Sequence, residues 1–259
     1  VERSAAVNLF SLANTVAARV GMELRPTGFR SDFEPENAKI IRQVQPYTMT
    51  TPDRVYALIQ AVKYVAENEI KGCIVECGAW RGGSMMAAAL TLQHHHRRDV
   101  DIYLYDTFEG MPPPDIKDVD SRGKDAASQL AEKPRSKDST IWAYSPVEDV
   151  QRNLGRTGYD PSRLHFIKGK VEETLPGQAP DEPIALLRLD TDWYSSTKHE
   201  LVHLFPRLVP GGVLILDDYG WWKGSRQAYD EYAKENGVRL LLNRIDNAGR
   251  LAIKTACSA

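Results

Sequence analysis

Cysteine is scarce in this chain, with Cys73, Cys77 and Cys257 the only three in 259 residues. That is too few for a disulfide framework, and no C-x-x-C pair offers a zinc site. Cys73 and Cys77 fall in an apolar run, where free cysteine packs as a small hydrophobe, so a reducing cytoplasm is the expected setting. No stretch approaches the ~18 apolar residues of a membrane span. The N-terminus also lacks a basic region followed by an apolar core and a small-residue cleavage site, so secretion is not expected. Charge of either sign is not in excess: 33 Lys+Arg stand against 35 Asp+Glu, which leaves no basic footprint for nucleic acid. A G-x-G-x-x-G run is missing, and with it the second glycine that lets a backbone approach a pyrophosphate, which argues against a dinucleotide cofactor. What remains is 42% hydrophobic and 26% charged, an ordinary globular composition, long enough for one large α/β domain or two small ones.

The chain is organised around the run from Gly72 to Ser84. An apolar segment, Cys73 to Val75, ends in Glu76; glycines follow at 78, 82 and 83, with the bulky Trp80 and Arg81 between them. Met85 to Leu90 then favour helix, so the run reads as strand, tight turn, helix. Free backbone N–H groups at such a helix start face the crevice beyond the strand. S-adenosylmethionine carries no phosphate and needs room for an amino-acid end, a thioether and an acid for its ribose hydroxyls. The run from Glu76 to Ser84 resembles E-x-G-x-x-x-G, the first motif of Rossmann-like methyltransferases.

In chain order, Ala6, Leu9, Phe10, Ala13, Val16, Ala17 and Val20 recur at helical spacing, predicting an amphipathic helix that serves as a cap or a dimer arm. Thr51-Pro52-Asp53 is a helix start, followed by Val55, Leu58, Ile59, Val62 and Val65. Three adjacent histidines, His94 to His96, read as a solvated helix end, since neighbours on a helix point in different directions. Asp101 to Asp106 is a second strand ending in an acid, 28 residues beyond Gly78, at the place of a ribose-binding carboxylate. From Pro112 to Thr140 charges and breakers replace periodicity, which is expected of a lid over the substrate or of a plain mobile loop. Strands are then predicted at 164–168, 184–190 and 212–218, with helices near 147–154, 196–208 and 225–236. A terminal hairpin is expected around Asn247-Ala248-Gly249. Alternating βα units predict a mostly parallel doubly wound sheet of seven strands, closed by an antiparallel edge.

Ligands of such sheets bind beyond the carboxyl ends of the strands. Asp190, Asp217 and Asp218 stand at strand ends on the rim that also carries Gly78 and Asp106. Three carboxylates there repel one another unless a cation joins them, and an oxygen-only set favours Mg²⁺ or Mn²⁺ over zinc. Such an ion would lower the pKa of a substrate hydroxyl, as methyl transfer to oxygen requires. Asp192 is read as a helix cap, not as a site residue. His199-Glu200-Leu201-Val202-His203 matches the zinc-protease H-E-x-x-H, but Leu201, Leu204 and Leu208 must face the sheet, so His199, Glu200 and His203 are expected to point outward without a third ligand.

Thr48-Met49, Glu76 to Gly83, Asp106 to Gly110, Leu189 to Tyr194 and Asp217-Asp218-Tyr219 together resemble the macrocin and mycinamicin sugar O-methyltransferases (the TylF/MycF family), in matching order from about residue 45 onward. The resemblance implies a Rossmann-like class I methyltransferase fold: an N-terminal helical cap or oligomerisation arm over 1–50, then a methyltransferase domain over 51–259 with the lid insert at 111–140. It implies S-adenosylmethionine- and Mg²⁺-dependent methylation of a sugar hydroxyl on a natural product or glycan, by a cytoplasmic homo-oligomer. Carried over by position, Asp190, Asp217 and Asp218 are expected to hold the metal, with Asp190 also the base. Thr48, Met49, Glu76, Gly78, Trp80, Ser84, Asp106 and Thr107 are expected around the cofactor. A metal-dependent methyltransferase of catechol-like phenols and a non-catalytic nucleotide-binding protein are the alternatives.

Overall fold

The computed structural model describes residues 30–136 and 139–256. The amphipathic helix expected within 5–22 and the residue Cys257 lie outside them. Residues 30–38 belong to one compact unit and the rest of the described chain to a second. The first described helix, α1 (Pro35–Val44), has no counterpart among the helices expected from the sequence, and it buries Ile40, Ile41 and Val44.

The second unit is built on the expected alternation. Helix α2 (Pro52–Glu67) starts where the sequence predicts, with Thr51 Oγ1 accepting from the Arg54 N–H at 3.3 Å and Pro52 in the first turn. Its residues Val55, Leu58, Ile59, Val62 and Val65 are buried. Then follow β1 (Cys73–Cys77), α3 (Gly83–His94), β2 (Ile102–Asp106), α4 (Ala126–Ala131), α5 (Val147–Gly155), β3 (Leu164–Lys168), α6 (Val171–Gln178), β4 (Ile184–Leu189) and α7 (Tyr194–Leu204). The chain closes with β5 (Leu208–Leu216), α8 (Lys223–Glu235), β6 (Asn243–Arg244) and β7 (Arg250–Ile253). The seven strands lie in the order β3-β2-β1-β4-β5-β7-β6. Strands β1 to β5 run parallel, and β7 pairs antiparallel to both β5 and β6. Among the described residues no helix is long and apolar enough to cross a membrane.

Two features of this sheet position the site. The strand order reverses between β1 and β4, which opens a crevice beyond their carboxyl ends. The ladder also continues past the strand ends: Gly78 N–H donates to the Tyr105 carbonyl at 2.8 Å, Asp190 N–H to Cys77 at 2.9 Å, and Asp217 N–H to Leu189 at 2.9 Å. Gly78, Asp190 and Asp217 are thereby fixed side by side on one rim. The period of two then sorts the faces. Cys73, Val75, Cys77, Leu187 and Leu189 join the core with Leu201, Leu204 and Tyr229 of α7 and α8, while Glu76 and Arg188, paired in register, face the opposite side.

The described part of the 111–140 insert is tied to the rest of the chain. It contains α4, and Leu130 with Ala126 forms a small second core with Trp193 and Trp222, whose rings meet edge-on at 4.9 Å. Trp193 Nε1 donates to the Pro112 carbonyl at 2.9 Å, and Lys223 N–H to that of Val119 at 2.9 Å.

Candidate active site

A cavity of about 400 Å³ opens over the switch point. Of the residues expected around the cofactor, Thr48, Met49, Gly78, Trp80, Ser84, Asp106 and Thr107 line it, and so do Asp190, Asp217 and Asp218. Glu76 does not. It is wholly buried in β1 behind the cavity, and its Oε1 accepts from Arg188 Nη1 at 2.6 Å. The expectation that Glu76 touches the cofactor is corrected: in a parallel register that sets Glu76 opposite Arg188, its carboxylate is the internal counter-ion of that arginine.

The turn after β1 is held by Asp106. Its Oδ2 accepts the N–H groups of Ala79 at 2.7 Å and Trp80 at 3.0 Å, and its Oδ1 accepts that of Phe108 at 2.7 Å. Burial raises the Asp106 pKa, and these backbone donors oppose the shift. Trp80, Phe108 and Asp192, one in each of the loops after β1, β2 and β4, are non-glycine residues at φ of 44, 52 and 66°. Strain of this kind persists only where the surroundings over-determine it, and it gathers here around one crevice. A Cβ on Gly83 would lie 2.6 Å from the Tyr47 carbonyl carbon, so only glycine lets the 47–49 segment lie against the start of α3. The indole N–H of Trp80 and the hydroxyl of Thr191 are buried without partners.

The carboxylates of Asp190, Asp217 and Asp218 each offer an oxygen within 4.8 Å of the others, the one such acidic or His/Cys cluster among the described residues. Asp217 and Asp218 can converge because β5 ends at Leu216. Beyond it the Asp218 carbonyl accepts from Trp221 and Trp222 N–H at 2.9 and 3.0 Å, and Gly220 presses against the Asn247 backbone. The chain therefore leaves the extended conformation directly after Leu216.

Sequence reasoning missed the cations. The Arg188 guanidinium, 2% exposed, contacts Glu76, Asp190 Oδ2 at 2.8 Å and Asp217 Oδ1 at 2.7 Å, and Nη2 donates to Thr50 Oγ1 at 3.1 Å. Arg54 pairs with Asp217 and, at 3.0 Å, with Asp246. The signal was present: an arginine inside the otherwise apolar Ile184 to Leu189. The cation that the acids were expected to need is thus supplied in part by the chain itself, since two arginines meet them. Burial works against charge on Arg188, yet Asp190, Asp217 and Glu76 hold its pKa well above the ordinary value. Burial also drives Asp190 and Asp218 well above the carboxylate range and Glu76 to about 7.

Two further expectations are corrected. Asp192 caps no helix; Trp193 is the cap position of α7, and the Tyr194 N–H is taken at 2.8 Å by Asp118 of the insert. Asp192 instead lines the cavity, its N–H donates to Asp218 Oδ2 at 3.3 Å, and burial lifts its pKa to about 7. Glu200 does not point outward but is fully buried, because α7 is covered by α6 and α8 as well as by the sheet. His199 and His203 stand half-buried with ring centroids 4.3 Å apart.

Known proteins resemble this chain in sequence and in fold. The sequence model of the family described as Macrocin-O-methyltransferase (TylF) matches residues 29–252. The 8-demethyl-8-(2,3-dimethoxy-alpha-L-rhamnosyl)-tetracenomycin-C 4'-O-methyltransferase of Streptomyces olivaceus is 35% identical over 213 residues, 82% of this chain and 77% of that protein. Mycinamicin III 3''-O-methyltransferase of Micromonospora griseorubida is 33% identical over 203 residues, 78% of this chain and 76% of that one. Among solved structures, the O-methyltransferase NovP superposes with a TM-score of 0.69 at 31% identity, over 81% of this chain and 82% of that one. Family membership removes the non-catalytic reading, and the missing G-x-G-x-x-G run had already counted against a dinucleotide cofactor. A class I sheet with its glycine turn and acid rim intact, matched over residues 29–252, makes the chain a member of the macrocin O-methyltransferase family and an S-adenosylmethionine-dependent O-methyltransferase.

Proposed function

We propose that this enzyme methylates a sugar hydroxyl of a glycosylated natural product and that it does so with Mg²⁺ or Mn²⁺. The observation that carries this reading is the convergence of Asp190, Asp217 and Asp218 within 4.8 Å on the rim that begins at Gly78. The donor set fits a hard divalent ion: it is all oxygen, supplied by the three carboxylates of Asp190, Asp217 and Asp218, and a cation there would offset the burial that disfavours the charged forms of Asp190 and Asp218. When bound, the ion would lower the pKa of the acceptor hydroxyl and stabilise the alkoxide that faces the sulfonium methyl. Support for a sugar acceptor comes from the relatives, which act on a rhamnosyl tetracenomycin and on mycinamicin III by their names.

The chain's own residues have these roles in the reading. Gly78, Trp80 and Ser84 border the cofactor at the turn, Asp106 and Thr107 stand at its ribose, and Thr48 and Met49 close over it. Asp106 both fixes the turn N–H groups and presents its remaining lone pairs to the cavity, since each carboxylate oxygen accepts more than one bond. Asp190, 26% exposed at the side chain, is the one of the three rim acids open enough to meet the acceptor hydroxyl and take its proton. Residues 1–50 act as cap or oligomerisation arm of a homo-oligomer, and the 111–140 insert as a lid anchored through Trp193 and Trp222.

The test is calorimetric titration with S-adenosylmethionine and with NAD, each with and without Mg²⁺, followed by turnover assays on glycosylated and catechol acceptors with EDTA. Micromolar S-adenosylmethionine binding, no NAD binding, and EDTA-sensitive methylation of the glycoside are expected. Methylation confined to the catechol would replace the acceptor class, and full activity in EDTA would remove the metal.

A further inference from the structure

Arg188 has a part in this site that neither the family match nor the relatives' names assign. It lies two residues before Asp190 on β4, so the strand's period puts both side chains on the same face. Glu76 stands opposite it in register on β1, and on β5 its register partner is Ile215, two residues before Asp217. One planar guanidinium therefore sits at the centre of three adjacent strands. It reaches forward to Asp190 Oδ2 at 2.8 Å and Asp217 Oδ1 at 2.7 Å, back to Glu76 at 2.6 Å, and across to Thr50 at 3.1 Å. Thr50 adjoins the Thr48-Met49 segment, so this residue ties the metal rim, the cofactor strand and the segment over the cofactor together.

We propose that Arg188 is the positioning residue of the carboxylate rim: it holds one oxygen of Asp190 and one of Asp217 in a fixed spacing and so presents their carboxylates, with that of Asp218, to a divalent cation. The inference rests on the metal-dependent reading above. Charge alone does not account for the arrangement. A point charge could neutralise the rim from many positions, whereas the planar guanidinium is fixed by hydrogen bonds to Glu76 and Thr50 and thereby held at ion-pair distance from carboxylates on both neighbouring strand ends. Removing Arg188 alone would leave Glu76 buried without its partner, so that variant is a poor probe. The pair Glu76→Gln with Arg188→Met changes the formal net charge by zero. It therefore leaves the long-range attraction for a cation nearly unaltered and removes the bridge.

The experiment measures Mn²⁺ binding by electron paramagnetic resonance in the wild type, in Arg188→Lys and in Glu76→Gln/Arg188→Met, with S-adenosylmethionine affinity measured on the same samples. Both variants are expected to fold and to bind S-adenosylmethionine within a few-fold of wild type, but to bind Mn²⁺ roughly tenfold or more weakly. In turnover with the wild type's acceptor, kcat should fall and the acceptor KM should hold. Lysine failing to rescue Mn²⁺ binding separates positioning from charge balance. Wild-type Mn²⁺ affinity in either variant overturns the proposal. So does loss of fold in both, seen by circular dichroism, because Arg188 would then be a stability residue. If the wild type takes up no Mn²⁺, this inference falls with the metal reading, and the S-adenosylmethionine titration shows whether the cofactor assignment stands.

Discussion

Gly78 and Asp190 touch backbone to backbone across β1 and β4: a Cβ on Gly78 would lie 2.6 Å from the carbonyl carbon of Asp190. Gly78 also sits at φ +85°, where a side chain costs about 1–2 kcal/mol by itself. The glycine of the cofactor turn and the acid of the rim are thus one mechanical unit. Gly78→Ala is expected to lower the urea midpoint and to weaken S-adenosylmethionine more than tenfold, ~1.4 kcal/mol or more. An alanine variant with wild-type affinity and midpoint would show that the contact relaxes freely.

Asp106 has two tasks, and they predict two losses. Its carboxylate satisfies the N–H groups of Ala79, Trp80 and Phe108, and it faces the cavity. Asp106→Ala should weaken S-adenosylmethionine by about 1.5–3 kcal/mol, roughly 10- to 150-fold, through lost charge-assisted hydrogen bonds. It should also lower Tm even without cofactor, because three turn donors lose their acceptor. Unchanged Tm with weakened binding would confine Asp106 to the ribose.

How much of this was legible depended on whether a residue's meaning was local. The β1 turn, the α2 start at Thr51-Pro52, the strand ends at Asp190 and Asp217 and the terminal hairpin each announce themselves within about ten residues, and the structure has them all. Arg188 was missed, and Asp192 and Glu200 were misjudged, because their partners are distant in sequence. Arg188 meets acids from β1 and β5, Asp192 meets Asp218, and Glu200 is buried by packing of helices on both sides of α7. Asp118 is the same case in reverse: a charge in a stretch without periodicity that caps a helix 76 residues away. The insert was read from composition, which could not show that Ala126 and Leu130 pack with Trp193 and Trp222, residues that lie outside it.

The chemical step separates binding from turnover. S-adenosylmethionine does not need the Asp190 carboxylate, whereas a developing alkoxide does. Asp190→Asn should therefore keep cofactor affinity within a few-fold and lower kcat by at least the ~10²-fold typical of lost acid–base catalysis. The amide would also face Arg188 with a donor where an acceptor now stands, so its Tm has to be measured alongside. A folded Asp190→Asn enzyme with near-normal kcat would remove Asp190 from the reaction.

The pH dependence of stability should be dominated in one respect by Glu200. This acid is fully buried in α7, neither oxygen has a hydrogen bond of good geometry, and burial pushes its pKa to about 8. In the unfolded chain it titrates near ~4.3. The native state therefore prefers the protonated form. Its contribution is complete below the unfolded pKa and is lost as pH rises through the folded one, because above ~4.3 the unfolded state releases a proton that the native state keeps. Each unit of separation corresponds to about 1.4 kcal/mol, or about 2–4 °C in Tm for each kcal/mol at this chain length. Glu200→Gln keeps the shape and cannot ionise. Subtracting wild-type from variant Tm at each pH cancels every other titration that the two share. The difference should shift in favour of the variant between pH 5 and 8 and level off above it. A difference that stays flat from pH 5 to 9 would mean that Glu200 is ionised in the native protein despite the cost of burial.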